Sequence, residues 1–491
     1  MALMRIARIG VLLALALAVS GCGAKKQAAA SGGAEIVSAS APVFISIDSN
    51  LSSDQWAQVD KLLHKFPAYP QLVSEVRSSL KSDTGLDYER DVKPALGDEV
   101  DVVWLDFENS GANVVAVTKP KDADAFRRLI EKGNEAGPDQ AVFEERDGWF
   151  VISDTQQKLD RFQEQAASGE KLADNAVFKD ALASLPDEAL VHVYARGKSI
   201  VEALQGGVPG LSPLQLGTGQ KPEFISAAFS AEGSGFRLVG AARAEDTTKT
   251  QIEPFKSKLL GDVPADAVAF LTFRGGDAFE KQLSELEKDE SYRQGIQELQ
   301  QMLGVRLDKL LPLFANEVGL YVRPGSPIPE VTLLLEAPDE QAALERVNST
   351  IEALTETLPA QSCHAPGEEA GVPLKCVDLG DVELRTAAFD DKVVITIGQG
   401  AISKLRSSSP RLGDDDGFQK ARDAAGLPAE SAGFIWVDLE DGIPMILGLA
   451  DASGASIPAE IRANLEPLGS FLAWADSDGR TGSFTAFLQI D

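Results

Sequence analysis

Few side chains able to do chemistry are spread along this chain of 491 residues. There are three cysteines, Cys22, Cys363 and Cys376, and three histidines, His64, His192 and His364. A thiol can be acylated, oxidised or bound to metal, and an imidazole can carry a proton or a metal. Cys363 and Cys376 with His364 do not give the four-ligand spacing of a zinc site. None of the histidines has a partnered Ser or Cys nucleophile that sequence can identify, because Ser-His-Asp constellations are spatial, not local. Asp414, Asp415, Asp416 and Gly417 suggest a calcium loop but lack the alternating ligands and distal Glu of an EF-hand. A helix N-cap at Asp416 or nearby is the stronger reading. Glu99 and Glu317 begin two similar strands, where a turn or salt bridge is expected, not acid–base work. No catalytic, cofactor or metal residue is assigned.

Residues 1–21 explain Cys22. Arg5 and Arg8 form a basic start, and Ile9 to Val19 is apolar apart from Gly10. That run suits a secretory signal and is too short to span a bilayer, which needs roughly 20 apolar residues. Val19-Ser20-Gly21-Cys22 resembles the lipobox of bacterial lipoproteins, in which the cysteine thiol receives a diacylglyceryl group before cleavage. Two acyl chains give stable anchoring where one does not. Residues 22–40, rich in Gly, Ala, Ser and Lys at their start, are expected to be a flexible tether. Gly23 after the cysteine slightly favours the outer membrane. The expected address is the cell envelope, facing the periplasm or exterior.

The formal charge is −29, and loss of Arg5 and Arg8 with the signal makes it −31. That balance argues against nucleic acid and anionic lipid surfaces as partners. In an oxidising compartment the even pair Cys363 and Cys376 is expected to form a disulfide, worth about 3 kcal/mol in the chain-entropy model.

The chain reads as two copies of one pattern. PVFISID from Pro42 corresponds to AVAFLTF from Ala267. Pro94 and Glu99-Val100 match Pro312 and Glu317-Val318, offset by 218 positions. VVAVTKP ending at Pro120 matches TLLLEAP ending at Pro338. DGWFVIS from Asp147 matches DDKVVIT from Asp390, and LPDEALVHVYA from Leu185 matches LPAESAGFIWV from Leu427. The expected organisation is a tether to residue 40, copy one over 41–246, a helical connector over 247–263 and copy two over 264–491. His192 corresponds to Phe434, which suggests packing. His64, before Pro67, is expected on the surface.

Apolar alternation marks strands, and Leu344, Val347, Ile351 and Leu354 mark one helical face. Asp147-Gly148 and Asp478-Gly479 suit tight hairpins. Glu99 to Phe107 leads to Asn113 with no room for a crossover helix. Each copy is therefore expected to be α+β, an antiparallel sheet with helices packed on one face.

PVFISID, LLHKFP from Leu62 and GLDYERDVKPALGDEV from Gly85 resemble a family of bacterial envelope proteins classed only as a domain of unknown function, numbered 3352. The resemblance implies architecture and address, and no activity. The expected role is non-enzymatic binding or scaffolding of an envelope protein partner. A carrier or chaperone for an apolar ligand, and a hydrolase with an unrecognised site, are the alternatives. The loops that differ between copies, Cys363 to Cys376 and Gly206 to Pro222, are candidate contact surfaces.

Overall fold

The structure, a computed structural model, describes residues 32–136, 140–167, 169–205, 222–245, 253–276, 293, 311–326, 328–355, 361–363, 367–380 and 382–491. The signal segment, Cys22, the tether up to residue 31, His364 and the loop 206–221 lie outside them.

Eight strands form in the first half: β1 (Val43–Asp48), β2 (Gly97–Trp104), β3 (Val114–Pro120), β4 (Val142–Arg146), β5 (Trp149–Ser153), β6 (Val191–Arg196), β7 (Pro222–Glu232) and β8 (Gly235–Ala244). The second half adds β9 (Ala269–Arg274), β10 (Glu317–Arg323), β11 (Glu330–Glu336), β12 (Gln361–Ser362), β13 (Glu368–Glu369), β14 (Val372–Asp378), β15 (Glu383–Phe389), β16 (Lys392–Thr396), β17 (Gly433–Asp438), β18 (Leu468–Ser477) and β19 (Thr481–Ile490). All pair antiparallel, in the order β4-β5-β3-β2-β1-β6-β7-β8-β19-β18-β17-β9-β10-β11-β16-β15-β14, with β12 and β13 on β14.

The expectation of a separate sheet in each copy is corrected here. β8 and β19 pair from Arg243↔Thr481 to Gly235↔Gln489 and fuse both halves into one 19-stranded sheet. Each would otherwise leave a long edge of unpaired backbone groups, which is a liability in water. Gly240 permits the join, because a Cβ there would lie 2.1 Å from the Phe484 ring. Outward from that join, strands follow in the same sense on both sides. The hairpin turn β4–β5 has Asp147 and Gly148 at φ 53° and 81°, and β15–β16 has Asp390 and Asp391 at 51° and 59°. Positive φ at both central residues suits the twist of a two-residue hairpin.

The helices are α1 (Asp54–Leu63), α2 (Tyr69–Thr84), α3 (Ala123–Ala136), α4 (Gln156–Ala167), α5 (Ala176–Ala183), α6 (Gly197–Gln205), α7 (Glu340–Thr355), α8 (Ala401–Arg406), α9 (Asp416–Ala425), α10 (Leu439–Ala452) and α11 (Ala459–Leu465), with a four-residue turn of helix at Glu108–Gly111. They cover both faces of the sheet, not one. On one face, α4 and α5 bury Leu159, Phe162 and Phe178 against Phe44, Val115, Val117 and Val151. On the other, α2 and α3 bury Leu80, Phe126 and Leu129 against Ala116, Phe150 and Ile152. The second half repeats this: α8 and α9 pack on Leu334 and Val394, and α7 packs on Leu335 and Val393. Successive strand residues point to opposite faces. A strand sandwiched in this way is therefore a nearly continuous apolar run, as in β5, where Trp149 to Ile152 are all apolar and every residue through Ser153 is buried.

The expectation of a flexible tether up to residue 40 is corrected over its described part, 32–40. Residues 32–40 are laid against the first half as a strap. Ala34 and Val37 are buried, Ala39 N–H donates to Glu170 O, and Leu172 N–H donates to Val37 O. The expected helical connector is likewise packed chain over its described part, 253–263. Only Leu259–Gly261 forms a 3₁₀ turn, and Leu412 N–H donates to Val263 O.

Candidate functional site

Cross-strand partners share a face of the sheet. One such row runs Val100–Ile47–Val191–Phe229–Leu238–Ala486–Ala473–Ile435–Leu271–Leu320 across ten adjacent strands, from β2 to β10. Every member is apolar. Val100 is buried, Phe229 and Leu238 are each 37% exposed, and the other seven are half-buried. At about 4.8 Å between strands the row spans roughly 43 Å. The adjacent row Val102–Ile45–Val193–Ala227–Gly240–Phe484 is also apolar, and Phe484 is 46% exposed. α1 and the turn after it cover part of this band, where Leu62 and Phe66 pack beside Val191, Phe236 and Leu488. The result is an aliphatic floor with aromatic rings at its centre and no charged side chain in either row. Apolar surface left in contact with water at this length marks a binding face more often than a neutral feature.

The opposite face holds the polar chemistry. Each half receives the segment that precedes it on a glutamate. Glu99 Oε1 accepts Gly33 N–H at 2.8 Å, and Glu317 accepts the N–H groups of Lys258 and Leu259 and the hydroxyls of Ser257 and Thr272. The two recurring glutamates are therefore anchors for straps, not members of salt bridges. In the first half a second acid lies beside the first. Asp101 is fully buried and both carboxyl oxygens lack a hydrogen-bond partner. Ser46, opposite on β1, is close enough to ease it slightly but makes no hydrogen bond of normal geometry with it. Burial first, then the Glu99 charge, pushes Asp101 well above the usual carboxylate range. Burial also raises Glu99, against the opposing pull of the Gly33 amide and Ser46.

The same row brings together residues that sequence could not connect: Asp101, Ser46 and His192 are cross-strand partners in turn. This is not a catalytic triad. His192 Nε2 is 2.8 Å from Pro186 O, so it carries the ring proton there, and Ser46 Oγ donates to Glu99 Oε2 at 3.4 Å. Ser46 is 3% exposed, which closes it to substrate. Burial holds the His192 pKa below its ordinary value. In the second half the same row reads Gly319–Thr272–Phe434.

Cys363 and Cys376 form a disulfide. With Glu383 they are the one cluster of potential metal ligands among the described residues, but the sulfurs are spent on each other. His64 is exposed at the end of α1 and contacts Asp60 O. Asp415 caps α9, accepting Phe418 N–H at 2.9 Å, as Asn175 caps α5 through Phe178 N–H at 3.1 Å. The triple-aspartate run is thus a cap. The apolar band was missed because its rows join strands up to hundreds of residues apart; its local trace is the run of β-branched residues in β1 and β6.

These features define a mixed α+β protein on one large antiparallel sheet, with a strap over one face and an apolar band on the other. Over residues 1–490 the chain matches the family described as "Protein of unknown function (DUF3352)", and it belongs to that family. No curated protein matches it. Among solved structures, crystal form IV of TP0453 is similar at 14% identity and TM-score 0.24, covering 46% of this chain and 76% of that one. Crystal form III gives 16% identity, TM-score 0.25, and 49% and 81% coverage. So low a score fixes no shared fold. No described helix is long and apolar enough to cross a membrane.

Proposed function

We propose that this chain is a non-enzymatic binding protein of the cell envelope, anchored by lipid on Cys22, whose apolar band takes up acyl chains. The observation that carries this is the ten-strand row of uncharged side chains, most of them half-buried, with Phe229 and Leu238 exposed at its centre. Its chemistry favours lipid over a protein partner. An extended peptide laid on the band would bring backbone N–H and C=O groups that must be hydrogen-bonded. The floor of Val, Ile, Ala and Leu side chains provides no such partners, whereas an acyl chain requires none. The lipobox-like segment keeps the body close to the bilayer that would supply the ligand. The repeated strand order and matching straps support a tandem duplication, copy one over 41–246 and copy two over 264–491.

The test is mass spectrometry of lipid extracted from the full chain purified from its native envelope. Stoichiometric lipid in the wild type, lost in Phe484→Glu, is expected. A lipid-free wild type, or equal lipid in both, overturns the reading.

A further inference from the structure

We infer that Glu99 and Asp101 form a proton-binding site that holds the strap 32–40 against the first half, and that loss of its proton releases the strap. The geometry carries this. Two carboxyls lie side by side on β2 under Gly32 and Gly33, and no described Lys or Arg pairs with either. Buried charges are costly unless paired, and two neighbouring carboxylates cannot both remain ionised cheaply. Both Asp101 oxygens are unpartnered, so the proton is the one neutralising group that fits without displacing the strap. The second half provides the control. There Glu317 is saturated by four donor groups, Gly319 stands where Asp101 would be, and the neighbouring Glu336 is paired with Lys258 of the strap. A strap therefore docks without a second unpaired buried acid, and the acid pair is an addition that the fold does not require.

Every charged neighbour sets the same sign or stands aside. Glu35 on the strap and Asp98 on β2 raise Glu99 further. Asp48 on β1 is occupied by Ser53. Burial lowers the His192 pKa on β6, which favours its neutral form. On β3, Val117 faces Asp101, and the Lys119 ammonium sits over the Trp149 ring of β5 at 5.8 Å. Lys171, beside the far end of the strap, is bound to Ala166 O. Both acids are raised above their ordinary values, so the fold favours the protonated pair. Strap docking is fullest at acid pH and weakens as pH rises through the raised titration. Where the anchor at Cys22 holds, release adds nine residues, about 30 Å, to the leash.

The test is hydrogen exchange of the full chain between pH 5 and 8, corrected for intrinsic rates, comparing the strap with α4. In the wild type, strap opening should rise by up to about tenfold per pH unit while α4 stays constant. In D101N, and in the double variant G33L/D101G that installs the second half's packing, the slope should fall to what Glu99 alone supplies. A flat wild-type strap overturns the proposal. So does an undiminished slope in whichever of the two variants folds. Neither result depends on lipidation of Cys22, which a mass measurement of the amino terminus reads separately.

Discussion

Gly33 and Asp101 are packed so closely that a Cβ on Gly33 would lie 1.7 Å from Asp101 Oδ2. In the second half the pair is exchanged. Leu259 takes the place of Gly33, Gly319 takes the place of Asp101, and a Cβ on Gly319 would lie 3.2 Å from Leu259 Cδ1. A small residue meets a larger one in both halves, in opposite order.

That exchange predicts a non-additive pair. Gly33→Leu alone should destabilise by about 1–3 kcal/mol through overpacking. Adding Asp101→Gly should restore most of the loss, because the two sites touch. Denaturant unfolding of the wild type, both single variants and the double variant measures the coupling. Additive losses would contradict the assigned equivalence of the two straps.

His192 makes stability depend on pH in the direction opposite to the acid pair. Its pKa is lowered by burial, so the unfolded chain binds the proton more readily. Its contribution is present above the ordinary value near 6.5 and is lost as pH falls below it. His192→Phe, the residue found at Phe434, should flatten the decline in melting temperature between about pH 6.5 and 5. An unchanged profile would remove His192 as its source.

Reduction of Cys363–Cys376 should cost about 3 kcal/mol in the chain-entropy model. The loss should centre on β14 and β15, where Cys376 pairs with Arg385. Melting with and without reductant tests this, and Cys376→Ser should be insensitive to reductant.

The anchor is tested at Cys22. Intact mass should show loss of residues 1–21 and addition of acyl groups, and Cys22→Ser should move the protein from the membrane fraction to the soluble one. An unacylated native terminus would remove the envelope address.

Local chemistry made much of the fold legible. The hairpin at Asp147-Gly148 follows from the need for positive φ. The cap at Asn175 follows from an Asx side chain before an apolar helix start. The cystine pairing and the matched glutamates were visible; the opening strands were found, but matched one residue out of register, since Val43–Asp48 corresponds to Ala269–Arg274. What was hidden depends on long-range geometry. The β8–β19 pairing joins Arg243 to Thr481 and leaves no trace in either strand alone. Burial of both faces was announced only by unbroken runs such as Val114 to Val117, which alternation-based reasoning passes over. Residues 32–40 read as linker because Gly and Ala bury little surface, yet Gly33 is small because the strap passes directly over Asp101. Glu99 and Glu317 were correctly matched to each other, but their partners are backbone amides and hydroxyls brought in from distant segments, which no local side-chain pattern reports.

The central claim is that acyl chains lie along the band centred on Phe229, Leu238 and Phe484. Photo-crosslinking with a fatty acid carrying a diazirine, followed by peptide mapping of the full chain, tests it most directly. Label concentrated in β7, β8 and β19, and competed by unlabelled fatty acid, is the predicted result. Label absent from these strands, or undiminished by competitor, would contradict it.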